Sequence, residues 1–392
     1  MNRTLVVLSA IVATDMIGFG IVIPLLPFYS EALGATPFDL SLIIACYPAA
    51  QLLAFPLIGR LSDLFGRKPL IVACLVVSVA SYLMLGFAET LPALLASRVM
   101  AGFGGATYTA AQAYVADITD ESARTSAITR LGGGYAIGLV LGPIIGGYAS
   151  FYDFGLAGFI AAAISAVSLV LAGCLLPNTH RARAAARRDQ APLAISEWVR
   201  AYARPPLCLL VGTLFLAAAA FEGTMSMLAL FLERKIALTV QDAGMLWAWS
   251  GAVVVGIRLG LAGQLAHQLG DKPCVLLGLG LLAGGAACVL VTTNFAFALA
   301  AASLLAAGYS IVFPTMISLT SKLGAAASQG SILGGYMLFG GLGRTIGPLL
   351  SGLAFQRAGV DTPMIAAVIA FTAAACLALA FPAIVTSSQP AE

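Results

Sequence analysis

Residues 59–70 read GRLSDLFGRKPL, and residues 263–274 read GQLAHQLGDKPC. The two stretches lie 204 positions apart, and each follows a long apolar run. A second pair repeats the relation. GLVLGPIIGG at 138–147 and GRTIGPLLSG at 343–352 place Pro143 and Pro348 205 positions apart. Two matches at nearly one offset mark an internal duplication. Parallel repeats of this kind are a transporter architecture, with the ligand site between the repeats near the bilayer midplane.

The rest of the chain agrees with lipid as its solvent. Of its 392 residues 60% are hydrophobic and 9% are charged, where soluble domains are about a quarter charged. The 42 glycines fit membrane helices. Apolar runs long enough to span fall at about 5–30, 38–59, 69–88, 91–117, 126–151, 154–176, 206–232, 240–265, 273–292, 294–320, 328–356 and 361–384. The expected fold is an all-α membrane protein, with twelve transmembrane helices in two pseudo-symmetric six-helix bundles. The first bundle is 1–176 and the second 206–392, joined by an arginine-rich linker at 177–205. The run after Arg3 is too long for a cleaved signal and reads as the first helix. With the N-terminus cytoplasmic, most Lys and Arg residues fall inside, and only Arg234, Lys235 and Arg357 fall outside. Both termini are therefore expected in the cytoplasm of a multi-pass protein.

Several function classes drop out. A net charge of +3 makes no nucleic-acid footprint. The seven cysteines show no metal-ligand spacing and read as small core residues. HExxH, Walker and nucleophile-elbow motifs are absent, so neither an enzyme nor a cofactor site is expected.

Four ionisable residues fall inside apolar spans: Asp15, Arg98, Glu222 and Arg344. A charge at a helix centre costs at least ~2.5 kcal/mol on insertion scales, so each should face a cavity or a partner. Asp15 and Glu222 open the two halves and are expected in one central cavity, where a carboxyl group can exchange protons. Arg344 pairs with Glu222 or binds an anionic group of a substrate. Arg98, Gly102, Gly105, Thr109 and Gln112 share one helix face by spacing, with Gln112 a candidate substrate contact. Tyr47, Tyr108, Phe221, Trp247, Tyr309 and Tyr336 are aromatic candidates for the same cavity. In the loop, Gly59 and Gly66 permit tight backbone geometry. Asp63 can cap a helix of the other half, and Arg67, followed by Lys68, can pair with Asp117 as a latch.

These segments resemble the major facilitator superfamily, and within it the twelve-helix drug:proton antiporters, nearest the tetracycline-exporter branch. The resemblance spans essentially the whole chain. It rests on Asp15-x-x-Gly18 with Pro24 and Pro27, the loop 59–70, Arg98-Val-Met-Ala-Gly102, residues 116–120, and Gly138-x-x-x-Gly142-Pro143-x-x-Gly146-Gly147. It implies proton-coupled export of small organic molecules by a monomer in a bacterial plasma membrane. Import, or metabolite or lipid transport, is the alternative on the same fold. Asp63, Arg67 and Asp117 would form the cytoplasmic gate, Asp15 and Arg98 would serve substrate and proton coupling, and the Gly138–Gly147 segment would be the antiporter motif. Three departures weaken tetracycline itself as the substrate: residues 273–292 hold no acidic residue, Leu64 stands where a basic residue is common, and Arg344 is outside the pattern.

Overall fold

A computed structural model describes residues 3–177, 202, 205–323 and 329–381. The expected linker therefore lies outside the described residues except for Pro177, Tyr202 and Pro205. Among the described residues there is no strand. The helices are α1 (Arg3–Ala32), α2 (Pro37–Phe65), α3 (Arg67–Gly86), α4 (Leu91–Gly104), α5 (Thr107–Ile118), α6 (Glu121–Tyr152) and α7 (Phe154–Leu175) in the first half. The second half contains α8 (Pro205–Ile236), α9 (Val240–Gly260), α10 (Ala262–Leu269), α11 (Asp271–Leu290), α12 (Phe295–Leu323), α13 (Gln329–Ala358) and α14 (Thr362–Leu379).

Among the described residues, ten helices are long and apolar enough to cross a bilayer. The two other expected spans are different in kind. The fourth is split into α4 and α5 at Gly105 and Ala106, which leaves each piece short of a full span. The eleventh, α13, is a single 30-residue helix whose glycines and Arg344 dilute its hydropathy. Apolar side chains such as Leu53, Phe87, Val170, Leu259 and Ile369 stand on the outer surface, as a lipid-facing protein requires.

The duplication governs the packing. α1 packs on α6 and α7, α2 on α4, and α3 on α4 and α7. The second half repeats each pairing: α8 on α13 and α14, α9 on α12, and α11 on α12 and α14. The halves join through α2 with α13 and α6 with α9, again a symmetric pair. Local signals repeat as well. Thr36 with Asp39 and Thr239 with Asp242 form capping boxes at the starts of α2 and α9. Gly66 and Gly270 both take positive φ, +94° and +83°, a conformation that favours glycine, and both sit at the sharp turns into α3 and α11.

The Gly138–Gly147 segment is a helix–helix seam. A Cβ on Gly138 would collide with Met16, and one on Gly142 would come 2.7 Å from both Gly20 Cα and Ile17 O. Gly343 and Gly347 play the same part between α13 and α8, facing Phe215, Ala218 and Ala219. Small residues allow this close backbone approach in a membrane, where the hydrophobic effect cannot drive helices together. Gly147 instead faces Gly244 of α9, across the boundary between the halves.

The cysteines correct one expectation. Only Cys74 and Cys274 are buried, whereas Cys174, Cys208 and Cys376 are exposed. A helix that is apolar all round can turn a thiol to lipid as easily as to the core, so hydropathy does not tell the two apart.

Candidate functional site

A cavity of about 640 Å³ lies between the halves, within the usual range for small-molecule sites. Its floor and walls come from α1, α2, α4, α6, α8, α9, α12 and α13. Tyr47, Phe221, Trp247, Tyr309 and Tyr336 line it. Phe221 stacks on Tyr309 with ring centroids 4.6 Å apart. Tyr108 is not in the lining; it packs on Tyr135, 4.9 Å away, which is.

Among the described residues, the charged lining is three arginines, Arg98, Arg258 and Arg344, and one carboxylate, Glu222. Arg344 Nε lies 3.2 Å from Glu222 Oε1, and both side chains are partly open to the cavity. Arg344 Nη2 also donates to Gln51 Oε1 at 3.4 Å, from the second half to the first. Arg258 stacks over the Tyr309 ring at 5.4 Å. Arg98 is 3% exposed. Its Nε donates to Ser97 Oγ at 3.3 Å, and its Nη2 has no hydrogen-bond partner among the described residues.

Asp15 departs from the expected placement. It is 3% exposed and does not line the cavity. It is tucked behind the wall, among the buried residues of α1. The reason is the seam: Met16, Ile17 and Gly20 face α6, which turns Asp15 into the first half rather than toward the middle. Gln112 is also absent from the lining. The face expected from Arg98 to Gln112 assumed one continuous helix, and the break at Gly105 and Ala106 divides it. Its upper part packs as expected, with Gly102 against Ala50 and Tyr47 O, and Gly105 against the Tyr47 hydroxyl.

At the end of the bundle that holds the turn between α2 and α3, Arg67 Nε meets Asp117 Oδ2 at 2.8 Å, and Arg67 also donates to Ser62. Lys68 lies half-buried in the first turn of α3. The Asp63 side chain and the surroundings of Gly59 lie outside the described residues. The second half holds a counterpart that the sequence reading missed. Asp271 and Lys322, at offsets of 204 and 205 from Arg67 and Asp117, pair at 2.5 Å with the charges exchanged. The offset alone would have found it. At the opposite end, Arg234 approaches Glu31 at 3.9 Å across the halves.

Comparison with known proteins places this geometry. A family model described as Major Facilitator Superfamily matches residues 8–348 and again 259–391. The tetracycline resistance protein, class H, of Pasteurella multocida is 28% identical over 357 residues, covering 89% of this chain and 88% of that protein. Multidrug resistance protein 2 of Bacillus subtilis (strain 168) is 25% identical, covering 90% and 88%. Among solved structures, the human organic anion transporter MFSD10 (TETRAN) aligns with a TM-score of 0.69 at 22% identity over 96% of this chain and 99% of that one. The nucleoside transporter NupG aligns with a TM-score of 0.76 at 16% identity over 97% and 98%.

Proposed function

The chain belongs to the Major Facilitator Superfamily, and from that premise we propose that it exports small organic molecules across a bacterial plasma membrane in exchange for protons. The observation that carries this reading is the cavity at the boundary of the duplicated halves, with the Glu222–Arg344 pair in its wall. The names of the relatives, tetracycline resistance and multidrug resistance, favour efflux over uptake.

Alternating access follows from the duplicated packing. Arg234 with Glu31, and Gly147 with Gly244, join the halves at the end away from the N-terminus. At the other end α5 packs on α1, α3 and α6, and α10 on α9, α11 and α12, each within its own half. With the N-terminus in the cytoplasm, such an arrangement would suit loading from inside. Export needs the opposite state, in which the outer contacts part and the cytoplasmic rims close.

The cavity wall suggests what is carried. Rings of Tyr47, Phe221, Trp247 and Tyr309 suit a flat apolar body. The arginines suit hydrogen-bond acceptors on it, and Glu222 suits a donor. A proton on Glu222 weakens its hold on a substrate donor, so proton and substrate compete there, which is the requirement for exchange. The buried Asp15 carboxyl is the second proton site.

A susceptibility panel of aromatic amphiphiles in an efflux-deficient bacterial host tests the reading. The wild type should raise tolerance to at least one compound several-fold. Asp15→Asn and Glu222→Gln, expressed to the same level, should not. Equal protection by either variant would remove that carboxyl from the mechanism, and protection against nothing on the panel would remove export of such compounds.

A further inference from the structure

The three arginines that line the cavity are not equivalent. Arg344 is held by Glu222 at 3.2 Å and by Gln51 at 3.4 Å. Arg98 is sunk into the wall, with its Nε on Ser97. Arg258 differs from both. It is exposed in the last turn of α9, and among the described residues it has no ion pair and no hydrogen bond. What holds it is a ring. Its guanidinium carbon lies over Tyr309 of α12, 5.4 Å from the centroid.

That ring begins an aromatic surface. Tyr309 stacks on Phe221 of α8, with centroids 4.6 Å apart and planes inclined by 20°. Phe221 is followed in the chain by Glu222, and Arg258, Tyr309, Phe221 and Glu222 all line the cavity. An uncommitted cation therefore stands at one end of the rings and a carboxylate at the other. A guanidinium can stack by its face and still donate from its edge, where its fork matches the two oxygens of an acid group. Topology would account for a basic residue at this helix end. It would not account for a guanidinium laid on a ring of the cavity wall.

We propose that Arg258 is the specificity-determining residue of an acid subsite, and that the molecules carried are flat aromatic acids. The acid group takes the edge of the Arg258 guanidinium, the rings lie along Tyr309 and Phe221, and a hydrogen-bond donor at the far end meets Glu222. The lining is largely apolar side chains, so the attraction between the acid and Arg258 is screened less than it would be in water. The proposal rests on the export reading above and names the class of its substrate. The acid docks away from the Glu222–Arg344 pair, so a proton on Glu222 still competes with the donor end of the substrate, and exchange is preserved.

Equilibrium dialysis against the protein in lipid nanodiscs, with empty nanodiscs as the blank, tests the subsite with a matched pair of probes. An aminonaphthalenesulfonate carries an acid and a donor on opposite rings of one flat body. The corresponding aminonaphthalenesulfonamide is its neutral counterpart. The wild type should bind the sulfonate about tenfold or more tighter than the sulfonamide, as a charge-assisted bidentate contact allows. Arg258→Gln should abolish the preference. Arg258→Lys keeps the charge and loses the planar fork, so its preference should fall between the two. Each ratio is read on a single protein, so a variant with a smaller folded fraction still reports it. A preference unchanged in Arg258→Gln, or a wild type with no preference, overturns the acid subsite and leaves the cavity as the export site. A wild type that binds neither probe yet protects cells on the susceptibility panel also overturns the subsite alone. One that binds neither probe and protects against nothing overturns the export reading with it.

Discussion

Gly142→Ala adds one methyl group inside the seam between α1 and α6. The new Cβ would lie 2.7 Å from Gly20 Cα and Ile17 O, where ordinary contact begins at 3.4 Å. All the near atoms are backbone, so no side chain can turn aside, and the helices must separate by about 0.7 Å. Overpacking of this kind costs roughly 1–3 kcal/mol. The same substitution nine residues earlier in α6 is the control. Nothing lies within 4 Å of a Cβ on Gly133, so Gly133→Ala gains helix propensity of about 0.5–1 kcal/mol. Identical chemistry on one helix should therefore give opposite signs, separated by roughly 1.5–4 kcal/mol. Thermal unfolding of both variants in the same detergent reads the difference. Transport by Gly142→Ala should fall too, because Phe19, Val22, Leu139 and Pro143 carry the seam into the cavity wall. A Gly142→Ala protein as stable as Gly133→Ala would refute the close-packing account of the motif.

Other consequences can be checked the same way. Arg67→Asp or Asp117→Lys alone should impair transport and stability, while the two together restore much of the loss, because Asp271 and Lys322 show that the reversed pair fits the equivalent place; a double variant no better than the singles would refute this. Arg344→Ala leaves Glu222 unpaired but partly open to the cavity, so it should cost no more than about 1 kcal/mol, and the cost should shrink in acid as Glu222 takes a proton, read by thermal unfolding across pH. Thiol reagents that partition into lipid should modify Cys174, Cys208 and Cys376 in the folded protein, and Cys74 and Cys274 only after unfolding, as mass spectrometry would show.

Much of the fold was legible because membrane helices announce themselves by hydropathy and a duplication by its offset. The repeat at 204–205 anticipated the symmetric pairing of α2 with α13 and α6 with α9, and the charges 50 residues apart in Arg67 and Asp117 anticipated their contact. The site was legible only where a charge stood in an apolar run. Glu222 and Arg344 were visible that way, and so was Asp15, but hydropathy carries no rotation about the helix axis. That rotation is set by the glycine seam, and it took Asp15 out of the cavity. The break at Gly105 and Ala106 was hidden because neither residue is a strong breaker within an apolar span. Gln51 was overlooked although an uncharged amide at mid-span was the available signal. Arg258 stands in the last turn of its helix, and its long side chain reaches the cavity.

The central claim is exchange of substrate for protons through one cavity. The protein in sealed liposomes, with a pH-sensitive dye inside and the most strongly protected compound of the panel supplied on one face, tests it most directly. The account predicts proton movement opposite to the compound, abolished by Asp15→Asn and by Glu222→Gln. Protons moving with the compound, or a compound that crosses with no proton movement, would contradict it.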